Sequence, residues 1–185
     1  MMSDHNIAEI LYVRRTNMLK SERLLFKQVD ENDLEWLRET RNKYKDHFFD
    51  SHDITKEQQK AWYNKYRDIG ADTMFIVKLK SGEQIGTIAI YDIDVTTRNA
   101  KLGRILLLTE FRKHGYAEEM VERILKLGFE EMRLYKIKVE CYWENLDAIV
   151  IYHRAGFTVN PKPIMQLEAI NQNMDWKKPL IITGS

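Results

Sequence analysis

The chain has 185 residues, 44% apolar and 31% charged, which fits one folded globular domain and excludes a disordered or collagen-like chain. Twenty-nine basic against 28 acidic residues leave a formal net charge of +1, without the basic excess of a dedicated duplex-DNA or membrane-surface protein. A single cysteine, Cys141, cannot form an internal disulfide, no apolar run approaches the ~20 residues of a membrane span, and no secretory signal is visible. A cytoplasmic protein without nucleic-acid or membrane partners is therefore expected.

Residues 1–20 are loosely patterned and are assigned to an N-terminal arm or extra strand, 21–170 to the single domain, and 171–185 to a C-terminal tail. Residues 23–29 read as a strand. A helix over 30–41 follows, with Asp30 as N-cap and acids in its first turn, where the helix dipole favours them. Residues 43–54 form a loop rich in His, Asp and aromatics. Thr55-Lys56-Glu57-Gln58 is a capping box, opening a helix with Trp62, Tyr66 and Ile69 on one face. Strands over 73–80 and 84–94 are joined by Ser81-Gly82-Glu83, a hairpin signal, and a third strand spans 99–108. Apolar residues at 117, 120, 121, 124, 125, 129 and 132 have the helical period, so 115–132 is expected to be a helix. A strand over 134–143 and a helix over 144–155 follow, the helix ending at Gly156, a natural left-handed C-cap. The remainder is expected to hold a strand or two. The order, β-α-α-β-β-β-α-β-α-β, describes a mixed α/β domain with one main sheet.

The stretch Arg112-Lys113-His114-Gly115-Tyr116-Ala117 lies between an apolar strand and a long amphipathic helix. Such a junction aims several backbone N–H groups at one point with the helix dipole behind them, which makes a phosphate site. Gly115 allows close backbone approach, Ala117 keeps the first turn thin, and three basic side chains add donors. A solvated loop with incidental basic residues is the competing reading.

A second segment, Asn145 to Phe157, reads Asn-x-x-Ala148-Ile149-x-x-Tyr152-x-Arg154-x-Gly156-Phe157. With Arg112-x-x-Gly115-x-Ala117 before it, in the same order and at the same separation, it resembles the GNAT superfamily of acyl-CoA-dependent N-acetyltransferases. The resemblance covers most of the chain from Arg23 onward. It implies a central, twisted, mostly antiparallel sheet flanked by helices, with a splayed strand pair for a pantetheine arm. It also implies acetyl-CoA as co-substrate and no metal. The arm would pair with Leu106, Leu107 and Leu108. The amides of Lys113, His114, Gly115, Tyr116 and Ala117, with Arg112, would hold the diphosphate, and Asn145 would bond the arm besides capping its helix.

By the same resemblance Tyr152 would protonate the departing CoA thiolate; otherwise it is a packed helix residue. The acid that many relatives carry on the strand before the phosphate loop is absent here, where Lys101 and Arg104 stand instead. Glu140, five residues before Asn145, is the substitute base, its competing role being a salt bridge with a neighbouring Lys. A water chain to Glu110, Asp92 or Asp94 is the other route. Cys141 has no histidine paired with it, so direct attack by the acceptor nitrogen is expected, with a backbone amide stabilising the oxyanion.

The loop over 41–55 falls where the family builds its acceptor pocket. Arg41-Asn42, Ile54-Thr55 and Trp62 resemble the subset that acetylates 4-amino nucleotide sugars. His47, Asp50, His52 and Asp53 are read as a polar pocket wall or an exposed loop in preference to a metal site. The chain is thus expected to acetylate a small-molecule amine, as a monomer or homodimer. Rivals are a protein N-terminal acetyltransferase of the ribosomal-protein type and a non-catalytic acyl-CoA-binding module.

Overall fold

Runs of β-branched and apolar residues set the strands, and the computed structural model describes residues 18–48, 50–69, 72–159 and 179–184. The strands are β1 (Met18–Lys20), β2 (Leu24–Gln28), β3 (Thr73–Leu79), β4 (Gln84–Asp94), β5 (Asn99–Leu107), β6 (Lys136–Tyr142), β7 (Phe157–Val159) and β8 (Pro179–Gly184). They form one sheet in the order β1-β2-β3-β4-β5-β6-β8-β7. Every pairing is antiparallel except β5 with β6.

Among the described residues four α-helices flank the sheet: α1 (Leu34–Lys43), α2 (Lys56–Ile69), α3 (Tyr116–Lys126) and α4 (Leu146–Arg154). The period-2 alternation of β3 sends Phe75 and Val77 to one face and Met74 and Ile76 to the other, and all four are buried. The first face, with Phe26, Ile90 and Val139, packs under Met120 and Ile124 of α3 and Tyr152 of α4. The second, with Val29 and Ala89, packs under Leu37 of α1 and Tyr66 of α2. Each fully buried side chain of this size contributes about 1.5–3 kcal/mol, so both helix pairs are fastened by apolar burial.

Most predicted ends lie within two residues of the observed ones. Asp30 caps as expected, accepting from the Asn32 amide at 2.9 Å while Asp33 bonds back to the Asp30 amide at 2.9 Å. A single 3-10 turn, Glu31–Asp33, precedes α1. The Thr55 capping box is formed in both directions, at 2.9 and 3.2 Å. Trp62 and Tyr66 share the expected face and stack 5.2 Å apart, while the side chain of Ile69 lies outside the described residues. The helix predicted over 115–132 is α-helical only to Lys126, then widens into a π turn, Leu127–Glu131, closed by the Met132 amide on the Leu127 carbonyl at 2.8 Å. Within the arm, Met18–Lys20 is a strand, and residues 1–17 lie outside the described residues. The stretch assigned to a tail contains β8, which sits between β6 and β7. Its run Leu180-Ile181-Ile182-Thr183 has the β-branched composition that suits an interior strand.

Candidate active site

The parallel pair β5–β6 holds only from Asn99↔Lys136 to Leu102↔Val139. Beyond it the two strands part, and β6 continues against β8 alone. The cause lies in β5. Pairing with β4 jumps from Thr87↔Leu106 to Ala89↔Gly103, leaving Arg104 and Ile105 opposite Ile88. This is a bulge, and Arg104 takes a positive φ of 50° within it. A bulge bends its strand and increases the local twist, so β5 swings away from β6 at the point where it begins.

The bulge separates the roles of three neighbouring leucines. The Leu106 carbonyl is aimed at β4, where a Cβ on Gly86 would collide with it, and the Leu108 amide donates to the Ile85 carbonyl at 2.9 Å. By alternation the peptide groups of Leu107 face the open side, where its carbonyl accepts from Nε of Arg112 at 3.2 Å.

At the end of β5 a 3-10 turn, Thr109–Phe111, leads into the basic loop. Lys113 and Gly115 have φ of 65° and 75°, and Gly115 is the N-cap of α3. A side chain at 115 is strained in this left-handed conformation, which explains the glycine. The amides of Lys113, His114, Gly115, Tyr116 and Ala117 have no acceptor among the described residues. They form the start of an 11-residue helix, with its partial positive charge behind them.

Arg23, just before β2, supports this loop. Its Nη1 donates to the His114 carbonyl at 2.9 Å, its guanidinium lies 4.7 Å from the Tyr116 ring centroid, and its Nε meets Glu119 at 2.6 Å. Burial acts to raise the Glu119 carboxyl, but hydrogen bonds from Ser21 and Arg23 outweigh it and hold the group below its ordinary value.

The expected proton-handling residues lie on opposite faces of β6. Cys141 and Val139 point into the α3–α4 core, so alternation sends Glu140, with Lys138 and Tyr142, to the other face. Tyr152 is buried beside Phe157, their rings 5.7 Å apart, and burial, then the neighbouring Cys141 and Tyr91, push its hydroxyl well above the usual phenol range. Cys141 is buried and its thiol is pushed up to about 11, so it remains a protonated core residue. Asn145 is the N-cap of α4, accepting from the Ala148 amide at 3.2 Å, and is exposed.

Two of the alternative acids are already engaged. Asp92 holds Lys101 at 3.1 Å, and Asp94 accepts from the Thr97 hydroxyl and the Thr96 amide at 2.7 and 2.8 Å. Glu110 is exposed. Glu140 makes no ion pair among the described residues; Lys101, the cation whose charge it supports, is turned to Asp92.

On the α1–α2 side of the sheet lies a cavity of about 400 Å³, a size suited to a small ligand. Arg41, Ile54, Trp62, Thr87, Arg104 and Leu106 are among its lining residues, so the walls run from the 41–55 loop to the open strand β5. Asn42 fixes the loop, its side chain clasping both the carbonyl and the amide of Ile54 at 2.9 and 2.8 Å. Asp50 and Asp53 also line the cavity, His52 binding Asp50 at 2.8 Å and Lys45 binding Asp53 at 3.0 Å. Among the described residues no group of three or more His, Cys, Asp or Glu is arranged to hold a metal ion.

Several residues here escape a sequence reading. Tyr91 lays its ring over bare Gly103, where a Cβ would fall 2.9 Å from the Tyr91 hydroxyl. Asp72 holds Arg104 at 2.9 Å from 32 residues away. Tyr44 accepts from the Thr109 amide at 3.3 Å, and His47 meets Arg112 at 3.1 Å, so the 41–55 loop is tied to the basic loop. These contacts join distant segments, and no local pattern announces them; only the glycine in the middle of β5 hints at a close approach.

The sequence and the fold both have counterparts among known proteins. The model of the acetyltransferase (GNAT) domain matches residues 23–158. The spermidine N(1)-acetyltransferase of Vibrio cholerae is 28% identical over 95 residues, covering 51% of this chain and 54% of that protein. The Escherichia coli enzyme of the same name is 29% identical over 97 residues, 52% of this chain and 51% of its own length. The chain thus spans about half the length of the curated relatives it matches. Among solved structures, the Vibrio cholerae spermidine N-acetyltransferase in complex with CoA and spermine superposes with a TM-score of 0.75 at 20% identity, over 88% of this chain and 95% of that one. At that identity the likeness establishes the fold.

Proposed function

The chain belongs to the GNAT acetyltransferase family, and from that premise we propose that it transfers an acetyl group from acetyl-CoA to a primary amine of a small molecule. The observation that carries this reading is the open strand pair β5–β6 beside five amides at the start of α3 that have no acceptor among the described residues. A free strand edge suits the amide-bearing pantetheine arm, and the amides with Arg112 and Lys113 suit a diphosphate. The residues therefore fit the cofactor, which supplies an acetyl group activated as a thioester.

The roles follow from placement. Leu107 offers the outward peptide groups of β5 to the arm. Tyr152 keeps its proton at all ordinary pH values, so it acts as a hydrogen-bond donor to the sulfur as negative charge develops there. An alkyl ammonium with pKa ~10 must lose a proton before its nitrogen attacks. Glu140, on the cavity face and free of ion pairs among the described residues, takes that proton.

For the acceptor, a 4-amino nucleotide sugar is the finer reading. Arg41, Ile54 and Trp62 all line the cavity and Asn42 shapes its wall, so the loop pattern gathers at one place. Spermidine, the substrate named for the relatives, is the alternative small amine. The test is release of CoA thiol from acetyl-CoA with a panel of amino sugar nucleotides, polyamines and short peptides. Turnover with a small amine and none with peptides is expected. Thiol release with peptides alone contradicts the small-molecule reading, and acetyl-CoA binding without release on any amine makes the chain a binding module.

A further inference from the structure

A glycine inside a strand weakens it and marks a place where another group comes close. Gly103 is such a place, and the group is Tyr91. Tyr91 of β4 pairs with Lys101 of β5, yet its ring leans diagonally over Gly103, where a Cβ would fall 2.9 Å from both Cε1 and the hydroxyl oxygen. The Arg104 guanidinium lies 4.5 Å from the ring centroid and Arg104 lines the cavity, so the ring stands beside the cavity wall. A tyrosine folded onto a sheet normally finds a partner for its hydroxyl. Among the described residues no hydrogen bond holds that of Tyr91.

Register shows what the hydroxyl faces. The last β5–β6 pair is Leu102↔Val139, so the strands part at the next step, Gly103 and Glu140. Ala100, Leu102, Val139 and Cys141 all belong to the α3–α4 core, and alternation turns Gly103 and Glu140 to the other face, which is the cavity's. The Tyr91 hydroxyl over Gly103 and the carboxylate of Glu140 thus meet at the mouth of the strand gap.

The surrounding charges leave Glu140 as the open carboxylate there. Lys101 of β5 is turned to Asp92 at 3.1 Å, and Arg104 to Asp72 at 2.9 Å. From β6, Lys138 shares the face of Glu140, and α2 contributes the uncharged ring of Trp62, 5.9 Å from Arg104. Burial above all holds the Tyr91 hydroxyl above the usual phenol value, Glu140 and Asp92 adding to it against Lys101 and Arg104. Such a hydroxyl gives up its proton only as it receives another.

We infer that Tyr91 is a proton relay between the acceptor amine and Glu140. The Tyr91 oxygen takes the proton that leaves the ammonium, while its own O–H proton passes to the Glu140 carboxylate. One N–H and one O–H bond break, two O–H bonds form, and the freed nitrogen pair attacks the thioester. The inference rests on the acetyltransferase reading with Glu140 as base, and adds the route by which the proton travels and the reason for glycine at 103.

The test is kcat from pH 6.5 to 10, using the amine with the fastest CoA-thiol release. Tyr91→Phe keeps the ring on Gly103 and Arg104 and removes the hydroxyl alone. It should slow turnover by about 10²-fold near pH 6.5 and recover to within a few-fold of wild type near pH 10, where the amine needs no base. Tyr91 itself, raised above its ordinary value, does not titrate across that range. Gly103→Ala should show the same profile, its methyl displacing the hydroxyl without removing it. Tyr91→Phe with Glu140→Gln should be within about threefold of Glu140→Gln alone, because the two groups act in series. The acetyl-CoA-induced rise in unfolding midpoint should persist in every variant, reporting an intact fold. Full activity of Tyr91→Phe at pH 6.5, an equal loss at every pH, or losses that multiply in the double variant overturns the relay and leaves the transferase reading standing. No thiol release by wild type with any amine sinks the transferase reading, and the relay with it.

Discussion

In the proposed reaction Tyr152 and Glu140 would act from opposite faces of β6, and their surroundings set what each could do. A buried phenol pushed above its ordinary pKa is a poor proton source but a sound hydrogen-bond donor to a developing thiolate. Tyr152→Phe should therefore lower kcat by about 10²-fold or more, the loss typical of a removed donor at a developing anion, with acetyl-CoA affinity nearly unchanged. Steady-state kinetics with the best acceptor check this, and full activity would reduce Tyr152 to a packing partner of Phe157. The pH dependence in this prediction comes from the acceptor amine. Below its pKa the amine is an ammonium and needs a base, whereas near pH 10 much of it is already free. Glu140→Gln should thus slow turnover by about 10²-fold near pH 6.5 and recover to within a few-fold of wild type near pH 10. A loss that is the same at every pH would indicate a structural role, and no loss at any pH would pass the task to solvent.

The elements were legible in sequence where local chemistry dominates. Asp30 and the Thr55–Gln58 box mark helix starts because a side chain there satisfies amides only two or three residues away. Ser81-Gly82-Glu83 marks the β3–β4 turn, and Gly156, with φ of 91°, ends α4 as its position implies. The basic loop and the α4 motif are equally local. What a local pattern does not carry is the bulge at Arg104, since it reflects a register choice between β4 and β5. The same limit hides the Tyr91–Gly103 contact and the Asp72–Arg104 pair. Leu106, Leu107 and Leu108 look alike in sequence, and only the register shows that Leu107 faces the opening. The π turn after Lys126 is likewise invisible in an apolar pattern that keeps the helical period to Met132.

At the scale of the whole molecule, one strand borders both proposed sites. The outward edge of β5 faces the gap beside β6, its Arg104 and Leu106 line the cavity on the α1–α2 side, and its last residues enter the basic loop. Tyr44–Thr109 and His47–Arg112 then tie the cavity's loop to that basic loop. The central claim, that the open strand pair and the α3 amides bind acetyl-CoA, is tested most directly by the unfolding midpoint with and without acetyl-CoA, for wild type and Gly115→Glu. A ligand at one hundred times its Kd stabilises the native state by about 2.7 kcal/mol, a rise of roughly 5–10 °C for a chain of this size. Wild type should show that rise. Gly115→Glu should keep its own cooperative transition yet show no rise, because the new carboxylate stands where the diphosphate must sit. An equal rise in wild type and a folded Gly115→Glu, or none in wild type, would contradict the account.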